Sequence, residues 1–214
     1  MNNKRIEAIS QLIDNDESVI DIGCDHGFLA KMLRTKGNNK LIICSDNKIG
    51  PLNNARNNLI GYDNINFELT DGVDNIDTVC DVCVLAGMGH NTVISIIENN
   101  ENYFRNCKKI IIQVNSVVAQ MRQYLSNHKF QIIDECMVYD YKYYQIMVVK
   151  TGQQQLNELQ IEFGPVLLEK KGEVFLQCYQ KQLSYLQSLL STLPENHPDR
   201  SQLSKKIEQI KSVL

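Results

Sequence analysis

The chain has 214 residues, with 22 Lys plus Arg and 25 Asp plus Glu, so its formal charge is −3 at pH 7. Hydrophobic residues make up 43% and charged residues 22%, which fits a folded globular protein and excludes a mainly disordered chain. The slight acidity also argues against a strongly basic nucleic-acid coat protein, although it is compatible with a local basic patch.

The sequence lacks the patterns typical of a signal peptide, a membrane span, a disulfide framework or a zinc site. The start, MNNKRIEAIS, is polar and lacks the apolar run of a signal peptide, and no run approaches the roughly 18 apolar residues of a membrane span. Seven cysteines at loose spacing do not form a disulfide framework, and the single pair Cys80 and Cys83 lacks the further ligands that zinc needs. We therefore expect a cytoplasmic protein with reduced thiols, no membrane partner and no metal site.

Strands and helices alternate through the first 150 residues. A helix is predicted over residues 2–13, and strand patterns then recur between helix patterns, ending in two long strands joined by a tight turn. The predicted strands are SVIDIG, KLIICSD, INFELTDG, VCDVCVLAG, KKIIIQVN, KFQIIDECMVYD and YKYYQIMVVK. This alternation predicts an α/β fold with a mostly parallel seven-stranded sheet covered on both faces, in which the final hairpin contributes one antiparallel strand.

The pattern changes after Lys150. Apolar residues recur every three or four positions over GEVFLQCYQKQLSYLQSLLSTL, and again from Leu203 to Leu214 after the break at PENHP. Two amphipathic helices joined by a short loop predict an antiparallel, coiled-coil-like helical hairpin. We therefore divide the chain into a domain at residues 1–150 and a C-terminal helical arm at 151–214.

Acidic residues stand at the ends of the first three predicted strands, as Asp21, Asp46 and Asp71. A dinucleotide fingerprint would need glycines at 23, 25 and 28, but positions 25 and 28 are Asp and Phe, so a pyrophosphate would meet a carboxylate. S-adenosylmethionine fits better, since it has no phosphate and carries a sulfonium and an ammonium group. Asp46 suits the ribose hydroxyls, and Asp71 can accept from an adenine amino group.

Several segments together resemble the bacterial tRNA (adenine-22-N1)-methyltransferase family: DIGCDHGFLA, SDNKIGPLNNARNN, TDGV, VLAGMGH and IIQVNS. The resemblance extends from KRIEAI at the front to FGPVLLEKKGEVFLQCYQKQL at the back. Two positions depart from the family pattern, which typically reads AGMGG and QPN where this chain has His90 and Val114. The resemblance implies a Rossmann-like class I methyltransferase domain with a helical arm, S-adenosylmethionine as methyl donor and tRNA as substrate.

Site residues follow from the matched motifs. The resemblance implies that the cofactor is bordered by Asp21, Gly23, Cys24, Asp25, His26, Asp46, Asn47, Asp71, Gly72, Ala86, Gly87 and Met88. Asp25 and His26 are the catalytic candidates, because methylation makes the adenine ring cationic and a carboxylate stabilises such charge. Asp25 alternatively binds the methionine moiety or caps the loop. His26 orients the base or caps the next helix.

For tRNA, phosphate binding calls for Lys and Arg. The predicted substrate-binding residues are Arg5, Arg34, Gln113, Asn115 and Arg122, and Lys31 belongs to the same expected face. The arm carries seven basic and seven acidic residues, so we expect it to hold RNA by shape and a few lysines, with a dimer or partner contact as the rival. A monomer or weak dimer is expected. Two alternatives stay open: a methyltransferase of the same fold acting on a small molecule or protein, and a non-catalytic cofactor-binding relative.

Overall fold

The structure, a computed structural model, describes residues 3–214, so position 2 of the predicted N-terminal helix lies outside the described residues. This helix is α1 (Lys4–Gln11). Asn3 caps it, because its side-chain oxygen accepts a hydrogen bond from the N–H of Ile6 at 3.1 Å.

Within residues 3–214, seven strands form one sheet in the order β3-β2-β1-β4-β5-β7-β6. They are β1 (Val19–Ile22), β2 (Ile42–Asp46), β3 (Ile65–Leu69), β4 (Val82–Met88), β5 (Lys109–Val114), β6 (Phe130–Asp140) and β7 (Lys142–Thr151). The first five strands pair in parallel, and β7 runs antiparallel between β5 and β6. The predicted mostly parallel, Rossmann-like sheet with one antiparallel strand is confirmed.

Helices cover both faces of the sheet. They are α2 (Phe28–Thr35), α3 (Ile49–Asn58), α4 (His90–Asn99), α5 (Glu101–Asn106) and α6 (Val118–Asn127). Side chains alternate between the two faces along each strand, and two separate apolar clusters result, one containing Ile20 and the other Val19. The sequence did not predict α5, which is held by the fully buried Phe104.

The C-terminal arm consists of α7 (Glu158–Phe163), α8 (Pro165–Lys170), α9 (Glu173–Thr192) and α10 (Arg200–Val213). The long helices α9 and α10 pack against each other around a third apolar cluster that includes Phe175, Ile207 and Ile210, as the predicted helical hairpin requires. This cluster also takes in Met137 of β6, so the arm packs on the sheet edge. Among residues 3–214, none of the helices has the length and apolar character needed to cross a bilayer.

Candidate active site

The carboxyl ends of the central strands surround a small cavity, which we call the inner chamber. It has a volume of about 140 Å³. Its lining comes from α1, the loop after β1, the start of α2, and β4: Asn3, Arg5, Ile6, Ile9, Asp21, Gly23, Cys24, Asp25, Phe28, Leu29, Val84 and Ala86. Ligands of open parallel sheets bind at this end of the strands, so the inner chamber is the first candidate for a functional site.

Asp21 supplies a buried carboxyl group in the inner chamber, with 7% of the residue exposed. Burial raises the pKa of Asp21 to about 7; the nearby Arg5 guanidinium opposes this rise and Asp46 adds to it. A bound cation would favour the ionised carboxylate, so the chamber has the chemistry of a site for a positively charged ligand.

The loop after β1 is fixed against the end of β2. The N–H groups of Gly23 and Cys24 donate to the carbonyl of Ser45 at 2.8 and 3.0 Å, and Asp25 N–H donates to the Asp46 carboxylate at 3.3 Å. Asp46 is itself buried. Gly23 has φ +72°, a left-handed conformation that favours glycine, and an added Cβ would displace the methyl end of the Met88 side chain. These contacts fix the course of the loop where Gly23, Cys24 and Asp25 line the inner chamber.

Arg5 connects α1 to the ends of β4 and β5. Its guanidinium donates to the Gln113 side-chain oxygen at 2.9 Å, and the same oxygen accepts the N–H of Gly87 at 3.1 Å. Asn115 donates to the Gly87 carbonyl at 2.6 Å. Gly87 has φ +82°, and an added Cβ would lie 2.9 Å from the Arg5 guanidinium. Three predicted substrate residues, Arg5, Gln113 and Asn115, are therefore brought together around Gly87.

A larger space, which we call the outer cavity, opens beside the inner chamber. Its volume is about 1110 Å³. It is lined by Asn3, Arg5, Ile6, Phe28, Lys31, Met32, Thr35, Asp140, Tyr141, Lys142 and Tyr144. Asn3, Arg5, Ile6 and Phe28 also line the inner chamber, so the two spaces are neighbours across a shared wall.

The remaining predicted cofactor residues lie at the margin. Asp71 is exposed and lines a separate depression of about 350 Å³ beside α4, while the carbonyl of Gly72 accepts a hydrogen bond from the Ser45 hydroxyl at 3.0 Å. Asn47 is exposed at the end of β2. His26 is partly exposed, with Nε2 3.6 Å from the Asp25 carboxylate and its ring centroid 5.4 Å from that of Phe28. The inner chamber is thus lined by the predicted cofactor residues Asp21, Gly23, Cys24 and Asp25, whereas Asp71 lies outside it.

The assignment of Arg122 to RNA binding is wrong. Its side chain is fully buried and ion-paired with Glu135 at 2.8 Å, and its other donors reach the carbonyls of Ile161 and Glu162 and the side chain of Gln145. A phosphate cannot reach this guanidinium.

Arg34 also differs from its predicted role. Its guanidinium donates to the backbone carbonyls of Asn38, Lys40, Asp63 and Asn64 at 2.5 to 3.1 Å. These bonds join the loops before β2 and β3, so Arg34 is engaged in holding the fold.

The hairpin side of the outer cavity was missed. Tyr141, Lys142 and Tyr144 line it, and no motif pointed to them. A sequence signal existed in YDYKYY, because aromatic and basic residues crowd a predicted turn, where small polar residues are usual.

The two residues that depart from the family pattern both lie within regular secondary structure. His90 begins α4, and Val114 is buried at the end of β5. Within residues 3–214, no group of three or more His, Cys, Asp or Glu side chains has an arrangement suited to a metal ion.

Comparison with known proteins gives concordant matches. The family model described as tRNA (adenine(22)-N(1))-methyltransferase matches residues 19–212. A candidate tRNA methyltransferase of Mycoplasma genitalium is 29% identical over 99% of this chain and 96% of its own length. The Bacillus subtilis tRNA (adenine(22)-N(1))-methyltransferase is 24% identical over 99% of this chain and 96% of its own length. The crystal structure of a Streptococcus pneumoniae candidate tRNA (m1A22) methyltransferase is 30% identical, with a TM-score of 0.92 over the whole of both chains, and the protein was also crystallised with S-adenosyl-L-methionine.

Proposed function

The chain belongs to the tRNA (adenine(22)-N(1))-methyltransferase family, and we propose that it carries out this reaction in its inner chamber and outer cavity. It transfers a methyl group from S-adenosylmethionine to N1 of adenine 22 in tRNA. The observation that carries the proposal is the buried Asp21 carboxyl in a chamber that adjoins a cavity large enough for a nucleobase.

The residues present fit the cofactor. Asp21 pairs with its ammonium group, and the buried Asp46 accepts the ribose hydroxyls. Gly23 and Gly87 have positive φ, which lets the chain turn beside the chamber at the ends of β1 and β4. Asp71 and Gly72 border the adenine ring beyond the end of β3. In this arrangement the ammonium group and the ribose hydroxyls each meet a buried carboxyl group.

When bound, the cofactor supplies an electrophilic methyl group on sulfur. Adenine N1 carries a lone pair and is neutral at neutral pH, so the N–C bond forms as the C–S bond breaks, and no base is needed to activate N1. Catalysis is then mainly positioning, with stabilisation of the charge that develops on the ring. Asp25 supplies a largely exposed carboxylate beside the chamber for this charge, and His26 orients the base.

The outer cavity receives the target nucleotide. Phe28 lines both spaces and packs on the adenine, Arg5 holds the boundary through Gln113, and the exposed Lys31 contacts a phosphate. Asn115 positions the Gly87 backbone through its hydrogen bond to the Gly87 carbonyl. We propose that the enzyme works on tRNA in the cytoplasm as a monomer or weak dimer.

The test combines transfer and binding. Purified protein is incubated with labelled methyl donor and unmodified tRNA, and with the same tRNA carrying guanine at position 22. We expect 1-methyladenosine by nucleoside mass spectrometry from the first tRNA alone. Asp46→Ala should weaken donor binding by about tenfold in calorimetry through loss of the ribose hydrogen bonds. Asp16→Ala, on an exposed carboxylate before β1, serves as the control. Donor binding without transfer to tRNA would instead indicate another substrate or a non-catalytic protein.

A further inference from the structure

The tip of the β6–β7 hairpin carries an unusually exposed aromatic side chain. Tyr141 alone separates Asp140 from Lys142, which pair across the two strands. It is 96% exposed and has φ +59°, a left-handed conformation that is uncommon for tyrosine. A ring this exposed buries almost no surface within the chain, and it stands beside the exposed Tyr139, so we look for its partner outside the chain.

The tip is held in place beside the active site. Asp140 accepts a hydrogen bond from the backbone N–H of Lys4 at 3.1 Å, which ties the hairpin to α1. Below the tip, the rings of Tyr139 and Tyr143 lie 4.9 Å apart across the strands. Tyr141 therefore projects from a fixed support rather than from a loose loop.

The surroundings of Tyr141 select a nucleic-acid partner. The Tyr144 ring in the same cavity lies beneath two cations, with Lys142 Nζ at 4.9 Å and Arg5 Cζ at 5.3 Å from its centroid. Within the described residues, neither Lys31 nor Lys142 forms an ion pair with a carboxylate. Cations that have no carboxylate partner and lie among aromatic faces match phosphates and bases.

We propose that Tyr141 stacks on the base next to the target adenine in tRNA and so keeps the adenine out of the base stack. The proposal rests on the proposed function, because N1 lies on the Watson–Crick edge and is reached only when the adenine is exposed. Two aromatic residues divide the task. Phe28 is 51% exposed and lines both spaces, so it faces the target, whereas Tyr141 lines only the outer cavity and faces the neighbour. Lys142 binds the phosphate between the two nucleotides.

The experiment uses the full-length protein, S-adenosylhomocysteine and tRNA with 2-aminopurine at position 22. With wild-type protein we expect fluorescence to rise as this base leaves the stack. Tyr141→Ala should abolish most of the rise and lower the single-turnover methylation rate of normal tRNA by about tenfold, the effect of losing one stacked aromatic. Tyr141→Phe should behave like wild type, since stacking needs the ring and not the hydroxyl. Tyr185→Ala is the matched control, because Tyr185 is 65% exposed on α9.

A second substrate separates unstacking from simple affinity. When the nucleotide opposite position 22 is abasic, the adenine is already exposed, so the defect of Tyr141→Ala should shrink to about twofold or less. An equal defect on both substrates, or no defect on normal tRNA, would overturn the role of Tyr141 while leaving the proposed function standing. Donor affinity should be the same in all variants. Failure of the wild-type protein to form 1-methyladenosine would remove the proposed function, and this inference with it.

Discussion

Asp21 is the residue whose protonation state should control cofactor binding. Burial raises its pKa to about 7, so the native protein binds a proton that the unfolded chain releases above its ordinary value of 3.8. By linkage, Asp21 makes the folded state less stable as pH rises from about 4 through 7. A cationic ligand has the opposite preference, because it favours the ionised carboxylate.

We therefore predict that S-adenosylmethionine binds about tenfold more tightly to wild-type protein at pH 8 than at pH 6, relative to Asp21→Asn. Titration calorimetry in two buffers of different ionisation enthalpy should show about one more proton released by the wild type near pH 6 than by the variant. The cofactor's own amino group titrates in both experiments, so the comparison isolates Asp21. Identical pH profiles for the two proteins would remove Asp21 from the ammonium site.

The acidic site residues can be placed from the sequence more accurately than the arginines. Asp21 and Asp46 could be placed together because the carboxyl ends of neighbouring parallel strands meet at one edge, and strand positions are visible in the hydrophobic pattern. Arg122 could not be placed, because its partners lie up to 40 residues away along the chain. A charged residue on a predicted helix looks solvent-exposed until the packing of later elements is known.

At the level of elements, the buried Arg122–Glu135 pair fixes the junction of α7 and α8. Arg122 donates to carbonyls at the end of α7, while the Glu135 carboxylate accepts the N–H of Val166 at 3.0 Å at the start of α8. Gly164 lies between the two helices with φ +93°, and a side chain there would collide with both charged groups. The pair therefore caps two helix ends at once and attaches the arm to β6.

Arg122→Ala should lower the free energy of unfolding by about 3–5 kcal/mol, because it leaves the Glu135 carboxylate buried without its partner. Urea denaturation measures the change. Replacing both residues, as Arg122→Met with Glu135→Leu, should recover part of the loss, since no unpaired charge is then buried. Lys211→Ala is the control: its partner Glu208 lies one helical turn away and both side chains are well exposed, so we expect a loss of at most about 1 kcal/mol. A similarly small loss for Arg122→Ala would contradict the assigned role.

The short helices are the elements that the sequence does not predict, and the long elements are the ones that it does. The long strands and helices have clear periodicity, and their predicted order is confirmed. The short helices α5, α7 and α8 have six residues each, too few for a reliable period. They depend on tertiary contacts, as with the buried Phe104 in α5. The boundary of the arm at residue 151 stays a prediction, because α8 and α9 also pack on β6.

For the whole molecule, the distribution of charge matters more than its sum. Asp21, Asp25, Asp46 and Asp71 all lie at the carboxyl end of the sheet, where they account for more than the net charge of −3. In the arm, Lys170, Lys206 and Lys211 pair with Asp134, Glu162 and Glu208. The phosphate contacts are therefore expected at the outer cavity rather than along the arm.

This distribution predicts weak dependence of tRNA affinity on salt. Lys31 and Lys142 line the outer cavity and are the cations assigned to phosphates, and two phosphate contacts correspond to a slope of about −1.4 to −1.8 in a plot of log K against log salt concentration. Fluorescence anisotropy of labelled tRNA between 50 and 200 mM salt measures it. Lys31→Ala should reduce the slope by about one, because one phosphate contact is lost. Lys205→Ala, on the exposed side of α10, should leave the slope unchanged. If the slope were near −6, or if Lys205→Ala reduced it as much as Lys31→Ala, the arm would be a principal RNA-binding surface.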